Sequence, residues 1–309
     1  MGTSVPIFVC VGKLRSTNSI AVRNNHNNSD NTMTESISVV IPTYNRANCL
    51  PRALESVLAQ THPVEEICVV DDGSTDGTAQ LLQSNYPQVN YYRQENRGVS
   101  AARNLGINNT QGRWLAFLDS DDEWLPDKIE KQLSEFTQHP SYKLIHCDEI
   151  WIRNGVRVNA MDKHEKSGGE IFENCLPLCA ISPSAALIQR ELLTEVGLFE
   201  ESLPACEDYD LWLRICSRYP VLYVNEKLLR KYGGHEDQLS RQYWGMDRFR
   251  VDALDRIIRQ GILDEGQLAA ARATLISKCR ILINGASKRG NTELLSQYQD
   301  LLSVHQESS

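Results

Sequence analysis

From residue 36 onward, short β-rich runs alternate with helical patterns, and this alternation restricts the fold more than any other feature of the chain. The spacing predicts strands over 36–41, 66–70, 89–93, 114–118 and 144–147, the first being the β-branched run SISVVI. Helices are predicted between them. Leu50, Ala53, Leu54, Val57 and Leu58 recur at helical spacing, and further helices are expected over 78–86, 99–107 and 127–138. Parallel neighbours need a crossover and helices supply it, so a βαβαβαβ rhythm gives a mainly parallel sheet with helices on both faces. The expected class is α/β. At 309 residues, 41% hydrophobic, the chain can fill one large α/β domain or a domain plus an appendage.

Beyond residue 150 the pattern turns mixed. A strand is expected over 185–188, a short helix over 190–196 stopped by Gly197, a helix over 208–218 and an edge strand over 221–224. Past Arg241 the pattern is helical, with one apolar stripe at Phe249, Leu254, Ile257 and Ile258 and another at Leu275, Ile276, Cys279, Ile281 and Leu282. The organisation read from this is a disordered extension over 1–35, a main domain over 36–240 and a helical extension over 241–309. Met33, just before TESISVVIP, is a sensible alternative start. The C-terminal stripes are narrow and their charges mixed, which favours packing or homodimerisation over membrane insertion, with peripheral membrane contact left open.

Composition excludes some partners. No apolar run approaches the ~20 residues of a membrane span, and the N-terminal VPIFVCVG lacks a basic flank of the signal-peptide kind. A net charge of −8 argues against a nucleic-acid partner held by charge. The nine cysteines form no CxxC pair and several lie inside apolar runs, which reads as reduced, buried thiols in a cytosolic protein.

Ligands of open α/β sheets bind outside the carboxyl ends of the strands. Polar clusters stand at those ends: Pro42-Thr43-Tyr44-Asn45-Arg46 after the first strand, Asp71-Asp72-Gly73-Ser74 after the second, Asp119-Ser120-Asp121-Asp122 after the fourth. Three clusters on one edge of one sheet say more than any of them alone. Taken singly, PTYNR is an ordinary strand end and DDGSTDG an ordinary turn. The acidic turn is harder to explain, because like charges crowded beside a buried strand repel. Either water solvates it, capping the helix near Asp127, or a cation sits among the acids. EF-hand spacing fails, since position 6 counted from Asp119 is Trp124, and the loop counted from Asp72 ends in Gln83. The cation reading that remains is Mg2+ or Mn2+, held by one or two carboxylates and completed by substrate phosphates.

The segments SVVIPTYNRANCLPRALESVLAQT, ICVVDDGSTDGT, ENRGVSAARNLGI, WLAFLDSDDEWLPDKIEKQ and GLFEESLPACEDYDLWLRI, in that order and spacing, resemble the family 2 glycosyltransferases of the GT-A fold. The likeness covers about residues 36–235. It implies a Rossmann-like nucleotide-diphospho-sugar transferase. Pro42, Thr43 and Tyr44 match the family's nucleotide-cradling turn, and Asp72, with Asp71 beside it, the acid that accepts a hydrogen bond from uracil N3–H. Arg103 matches a position near the donor. Asp119-Ser120-Asp121 is similar to the DxD motif, with Asp121 favoured as metal ligand and Asp119 and Asp122 as further candidates. Glu207-Asp208 matches the ED motif, whose Asp is the catalytic base of inverting members. Acids there are also stabilised by the helix dipole whatever their role. His235 stands where some GT-A enzymes place an extra metal ligand.

The function implied is metal-dependent, inverting transfer from a nucleotide-sugar donor, a UDP-sugar, to a glycan or lipid-linked acceptor. The setting implied is cell-surface polysaccharide synthesis in the bacterial cytoplasm, with peripheral contact at the inner face of the membrane left open. Trp151, Trp212 and Trp244 are candidates for a sugar subsite, with core packing expected of Trp212. Two rivals share the architecture. A nucleotidyltransferase would show a Gly-rich or basic loop near the first strand, and none is present. A nucleotide-sugar-binding protein without catalysis would not need both acidic motifs. Dinucleotide binding fails for want of GxGxxG after the first strand.

Overall fold

The computed structural model describes residues 35–159, 161–234, 243 and 245–307. The N-terminal extension, the alternative start at Met33, His235 and Trp244 lie outside the described residues.

The first half follows the predicted rhythm: β1 (Ile37–Thr43), α1 (Leu50–Leu58), β2 (Glu66–Asp71), α2 (Thr78–Asn85), β3 (Asn90–Arg93), α3 (Val99–Asn108) and β4 (Trp114–Phe117). Its strands lie in the order β3-β2-β1-β4, all parallel. Then come β5 (Glu123–Trp124), α4 (Lys128–Gln138), β6 (Leu144–Arg153), β7 (Val156–Val158), α5 (Phe172–Cys175), β8 (Leu187–Gln189), α6 (Arg190–Val196), α7 (Glu207–Cys216) and β9 (Leu222–Gly233). Here the sheet turns mixed. β8 enters antiparallel between β4 and β6, β9 runs parallel to β6, and β5 closes the far edge antiparallel to β9.

Two strands run much further than the apolar pattern indicates. β6 extends past Cys147 to Arg153 and β9 past Val224 to Gly233, paired along the extra length after a register shift at Asp148. The extensions carry Asp148, Glu149, Lys227, Arg230 and Lys231, whose charges hide the strand signal. Backbone pairing proceeds regardless, because the ladder uses main-chain groups.

The sheet is covered on both faces. Successive side chains of β1 point opposite ways, so Val39 and Ile41 join one apolar cluster, with Leu50, Leu54, Leu133 and Phe136, while Val40 joins the other. Helix α3 presses directly on the sheet at Gly106, where an added Cβ would collide with Val40. The second cluster gathers Phe117, Tyr209 and Trp212, and it continues into α8 (Asp247–Arg259) and α9 (Glu265–Lys288) through Phe249, Leu254, Leu275 and Cys279. The first stripe and Leu275, Cys279 and Leu282 of the second are therefore packed against the main domain, each fully buried full-size apolar side chain contributing about 1.5–3 kcal/mol, whereas Ile281, expected in the second stripe, is exposed. α10 (Thr292–Glu307) packs on α9 and adds Tyr298 to this core. The described cysteines are free thiols.

Candidate active site

The turns after β1 and β2 are laced together. The Asn45 amide donates to Ser74 Oγ at 2.8 Å, and Asn45 Oδ1 accepts from the Thr75 amide at 2.8 Å. Asn45 takes a left-handed φ of 51°, which Asn tolerates better than most residues. The tie leaves Tyr44 49% exposed, its ring on the wall of a cleft of roughly 1220 Å3 shared with Pro42 and Thr43.

The two acids after β2 have different fates. Asp72 lines the cleft, with its carboxylate accepting from Gln94 Nε2 (2.7 Å) and from the amides of Arg97 (2.8 Å) and Gly98 (2.9 Å). Asp71 does not reach it. Its fully buried carboxylate accepts from the Ser74 amide at 2.7 Å and the Tyr91 hydroxyl at 2.8 Å. Adjacent residues of a strand point to opposite faces, so only one acid of the pair can face the ligand. Asp71, expected beside the donor, builds the turn.

The acidic turn divides in the same way. Asp119 and Asp121 open into the cleft with side chains 29% and 21% exposed. Asp122 is buried and clipped, its carboxylate accepting from Ser184 Oγ at 2.7 Å and the Tyr232 amide at 3.0 Å. Burial, reinforced by Asp121, pushes its pKa well above the carboxylate range. Asp122, the third candidate metal ligand, is thus the least accessible of the three carboxylates, although it borders the cleft. Among the described residues no group of three or more His, Cys, Asp and Glu forms a cation cage. Two half-exposed carboxylates do suit a hard divalent ion whose remaining ligands are phosphate oxygens.

Arg103, from α3, joins the halves of the cleft. Nη2 donates to Asp119 Oδ1 at 2.7 Å and Nη1 to Glu207 Oε1 at 2.6 Å, with the residue 3% exposed. Burial opposes its charge, but Asp119 and Glu207 outweigh that and raise its pKa. On Glu207 burial dominates, followed by the charge of Asp208, and its pKa rises to about 7 although Arg103 pulls the other way. Arg103, expected near the donor, lines the cleft, where its guanidinium also bridges two acids.

α7 begins at Cys206, held at a left-handed φ of 64°, a strained conformation of the kind found at functional sites. Half-buried Asp208 follows, facing the cleft. Oδ1 accepts from the Tyr209 amide at 2.7 Å, and Oδ2 from the Cys179 thiol at 3.1 Å. Beside Asp208, burial and that carboxylate raise the Cys179 pKa, so the sulfur stays protonated and able to donate.

Several cleft residues escaped sequence reasoning. Cys179 and Ser182 come from a segment without apolar periodicity, as does the buried Ser184 behind the acidic turn, and Glu149, Lys166 and Lys231 come from the polar end of the mixed half. Glu149 accepts from Trp151 Nε1 at 2.7 Å and pairs with Lys166 at 3.2 Å. Burial works upward on Glu149, yet Lys166 and Lys231 prevail and lower its pKa to about 2. Trp151 lines the cleft, but its ring packs against His164 (4.9 Å) and Arg153 (5.4 Å). Trp212 is fully buried and donates to the Ile181 carbonyl at 2.8 Å.

Residues 38–196 match the sequence profile of glycosyl transferase family 2. The chain belongs to that family. An uncharacterized glycosyltransferase of Rickettsia conorii is 36% identical over 62% of this chain and 32% of its own length. The transferase spans about a third of that relative, and of similar ones from Rickettsia bellii and Rickettsia felis. TuaG of Bacillus subtilis, named for teichuronic acid biosynthesis, is 29% identical over 67% of this chain and 82% of its own. Among solved structures, residues 1–349 of Staphylococcus aureus TarS in complex with UDP-GlcNAc superpose with a TM-score of 0.63 at 20% identity, covering 79% of this chain and 71% of that fragment. That likeness shows the fold, a GT-A sheet with a helical C-terminal region.

Proposed function

We propose that this glycosyltransferase moves a sugar, with inversion, from a UDP-sugar to a hydroxyl of a glycan or lipid-linked acceptor during cell-surface polysaccharide synthesis. The observation that carries the reading is the placement of Asp119 and Asp121 across one cleft from Asp208, their separation fixed by the Asp119–Arg103–Glu207 strut. Inversion needs one carboxylate at the acceptor hydroxyl, on the face opposite the leaving group, and no nucleophilic carboxylate.

Asp208 suits that task. Each of its oxygens holds one hydrogen bond and keeps a lone pair for the acceptor proton. On the donor side, the exposed ring of Tyr44 offers a stacking face to the base. Thr43 and Pro42 shape the floor beneath it, and Asp72 keeps one lone pair for a base N–H. Asp121 and Asp119 would hold Mn2+ or Mg2+ together with the donor's phosphates, and the ion would neutralise charge on the departing diphosphate.

The acceptor class is supported by the name of the TuaG relative. No helix among the described residues is long and apolar enough to cross a membrane. On the proposed reading the enzyme works at the cytoplasmic side, where peripheral contact with the inner face would reach lipid-linked acceptors. Calorimetric titration of the full chain with UDP and UDP-sugars, with and without Mn2+, tests the donor side. Uptake that requires or tightens with Mn2+, followed by transfer or donor hydrolysis, is expected. No uptake of any nucleoside diphosphate under either condition would overturn the reading.

A further inference from the structure

One cation in the cleft wall has no part in the mechanism just described. Lys231 lies in the extended part of β9, opposite Trp151 of β6. Its Nζ donates to Ser182 Oγ. Among the described residues it makes no contact ion pair, so two of the three ammonium donors are unused by protein carboxylates. Of the other cations of the wall, Arg103 pairs with Asp119 and Glu207, Arg46 with Asp121, Lys166 with Glu149, Arg97 with Glu201 and Arg250 with Asp247, while Arg153 lies over the Trp151 ring.

Lys231 is also tied to the acidic turn by its neighbours. The amide of Tyr232 holds Asp122 at 3.0 Å. Ser184, two residues from Ser182, holds Asp122 at 2.7 Å and receives the Asp119 amide at 3.1 Å. On the other side, the single Cys179 thiol proton has two acceptors in reach, Asp208 Oδ2 at 3.1 Å and the Ile181 carbonyl at 3.2 Å, next to Ser182. The ammonium is thus anchored on the short piece of chain that positions both acid sets. Burial alone would discharge it, but Glu149, Asp122, Asp119 and Asp208 surround it at longer range and keep it protonated.

We propose that Lys231 is a built-in counter-charge for the donor's diphosphate, contacting the phosphates from the part of the cleft wall that adjoins the acidic turn. The inference rests on the UDP-sugar reading and deepens it. An approaching diphosphate meets Asp119, Asp121 and Asp208, all repulsive, and a point charge with free donors offsets that repulsion before any ion arrives. The same charge weakens the grip of the acids on a bare divalent ion, so ion and nucleotide enter together.

This gives opposite signs to two binding constants. In the full chain, Lys231→Gln keeps a hydrogen-bonding group for Ser182 and removes the charge. In EDTA its affinity for UDP and for inorganic pyrophosphate is expected to fall about tenfold. Its affinity for Mn2+ without nucleotide is expected to rise severalfold. Lys231→Arg, which keeps the charge, is expected to stay near wild type in both. A lysine that only props β9 would change the melting temperature and leave the two constants unmoved. Wild-type-like UDP and pyrophosphate binding by Lys231→Gln, or unchanged Mn2+ affinity, would overturn the proposal while the donor reading stands. A wild-type chain that binds no diphosphate in EDTA or in Mn2+ would instead overturn the donor reading itself.

Discussion

The two halves of the sheet build their sides of the cleft by different means. In the parallel half, functional groups stand at the ends of β1, β2 and β4, each one or two residues past an apolar strand. In the mixed half they come from the polar end of β6, the segment around Cys179–Ser184, the start of α7 and the far end of β9, a spread of more than eighty residues joined only by long-range pairing. The parallel half brings its groups together through topology, with short turn contacts such as Asn45–Ser74 trimming them. The mixed half presents them because buried polar contacts hold irregular backbone in place, and such contacts are costly to leave half-made.

The proposed function divides along nearly the same line, with nucleotide and metal binding assigned to the first half, proton removal to the second, and Lys231 of the second half added at the diphosphate. Paired substitutions can break that division. Asp208→Asn is expected to lower kcat by about 10²–10⁴ while leaving UDP binding within about twofold of wild type. Asp121→Ala is expected to remove the Mn2+-dependent part of UDP binding and transfer together. Titration calorimetry beside a transfer assay reads both, and loss of UDP binding in Asp208→Asn would mean that the halves are not separable.

Arg103 is where they join, so its removal is expected to damage both. Arg103→Met leaves Glu207 buried without its partner and Asp119 without its anchor, an expected loss of about 3–5 kcal/mol by urea denaturation. Donor binding should weaken as well, because Asp119 is freed. A stable Arg103→Met protein with normal UDP affinity would show that the cleft is held by the backbone alone.

Ser184 is a smaller joint between the same two regions. It donates to the buried Asp122 carboxylate at 2.7 Å and accepts the Asp119 amide at 3.1 Å. Ser184→Ala is expected to cost about 1–3 kcal/mol, read as a lower urea midpoint with an unchanged slope. Because the lost contacts position the acidic turn, the metal dependence of UDP binding should shift too.

The same asymmetry explains what the sequence could reveal. β1 to β4, the helices between them and the clusters at their ends were legible because strand period, helix period and turn chemistry agree over stretches of ten to twenty residues. The clusters alone did not say which acid faces inward. Asp71 and Asp72 look alike in sequence and are told apart by their distant partners, Tyr91 for the one and Gln94, Arg97 and Gly98 for the other, and Asp122 is buried under Ser184, distant in the chain. Lys231 lacked any local signal, since a lysine in LLRKYGG reads as a surface strand end. Its meaning comes from Ser182 and from acids on other strands.

Lys128 tests how far the mixed half relies on buried polar props. This fully buried lysine, on α4, donates to Gln132 Oε1 at 2.8 Å and lies 4.2 Å from the Trp124 ring, while Gln132 Nε2 holds the Ala185 carbonyl at 2.8 Å beside β8. Burial lowers its pKa to about 8, with Cys147 opposing the change only weakly. Below pH 8 the folded and unfolded chains both carry the proton, and its contribution has no slope. Between pH 8 and the ordinary lysine value of about 10.4, the unfolded chain holds a proton that the folded one has lost, so this contribution to stability rises with pH, by about 3 kcal/mol at most. Buried tyrosines and thiols with raised pKa values act in the opposite sense, so the informative quantity is a difference between variants. Wild type minus Lys128→Met, compared by urea unfolding at pH 7.5 and 9.5, is expected to grow in favour of wild type at the higher pH. A difference that stays constant would mean that the ammonium reaches water, and that this side of the sheet is less tightly closed than the parallel half.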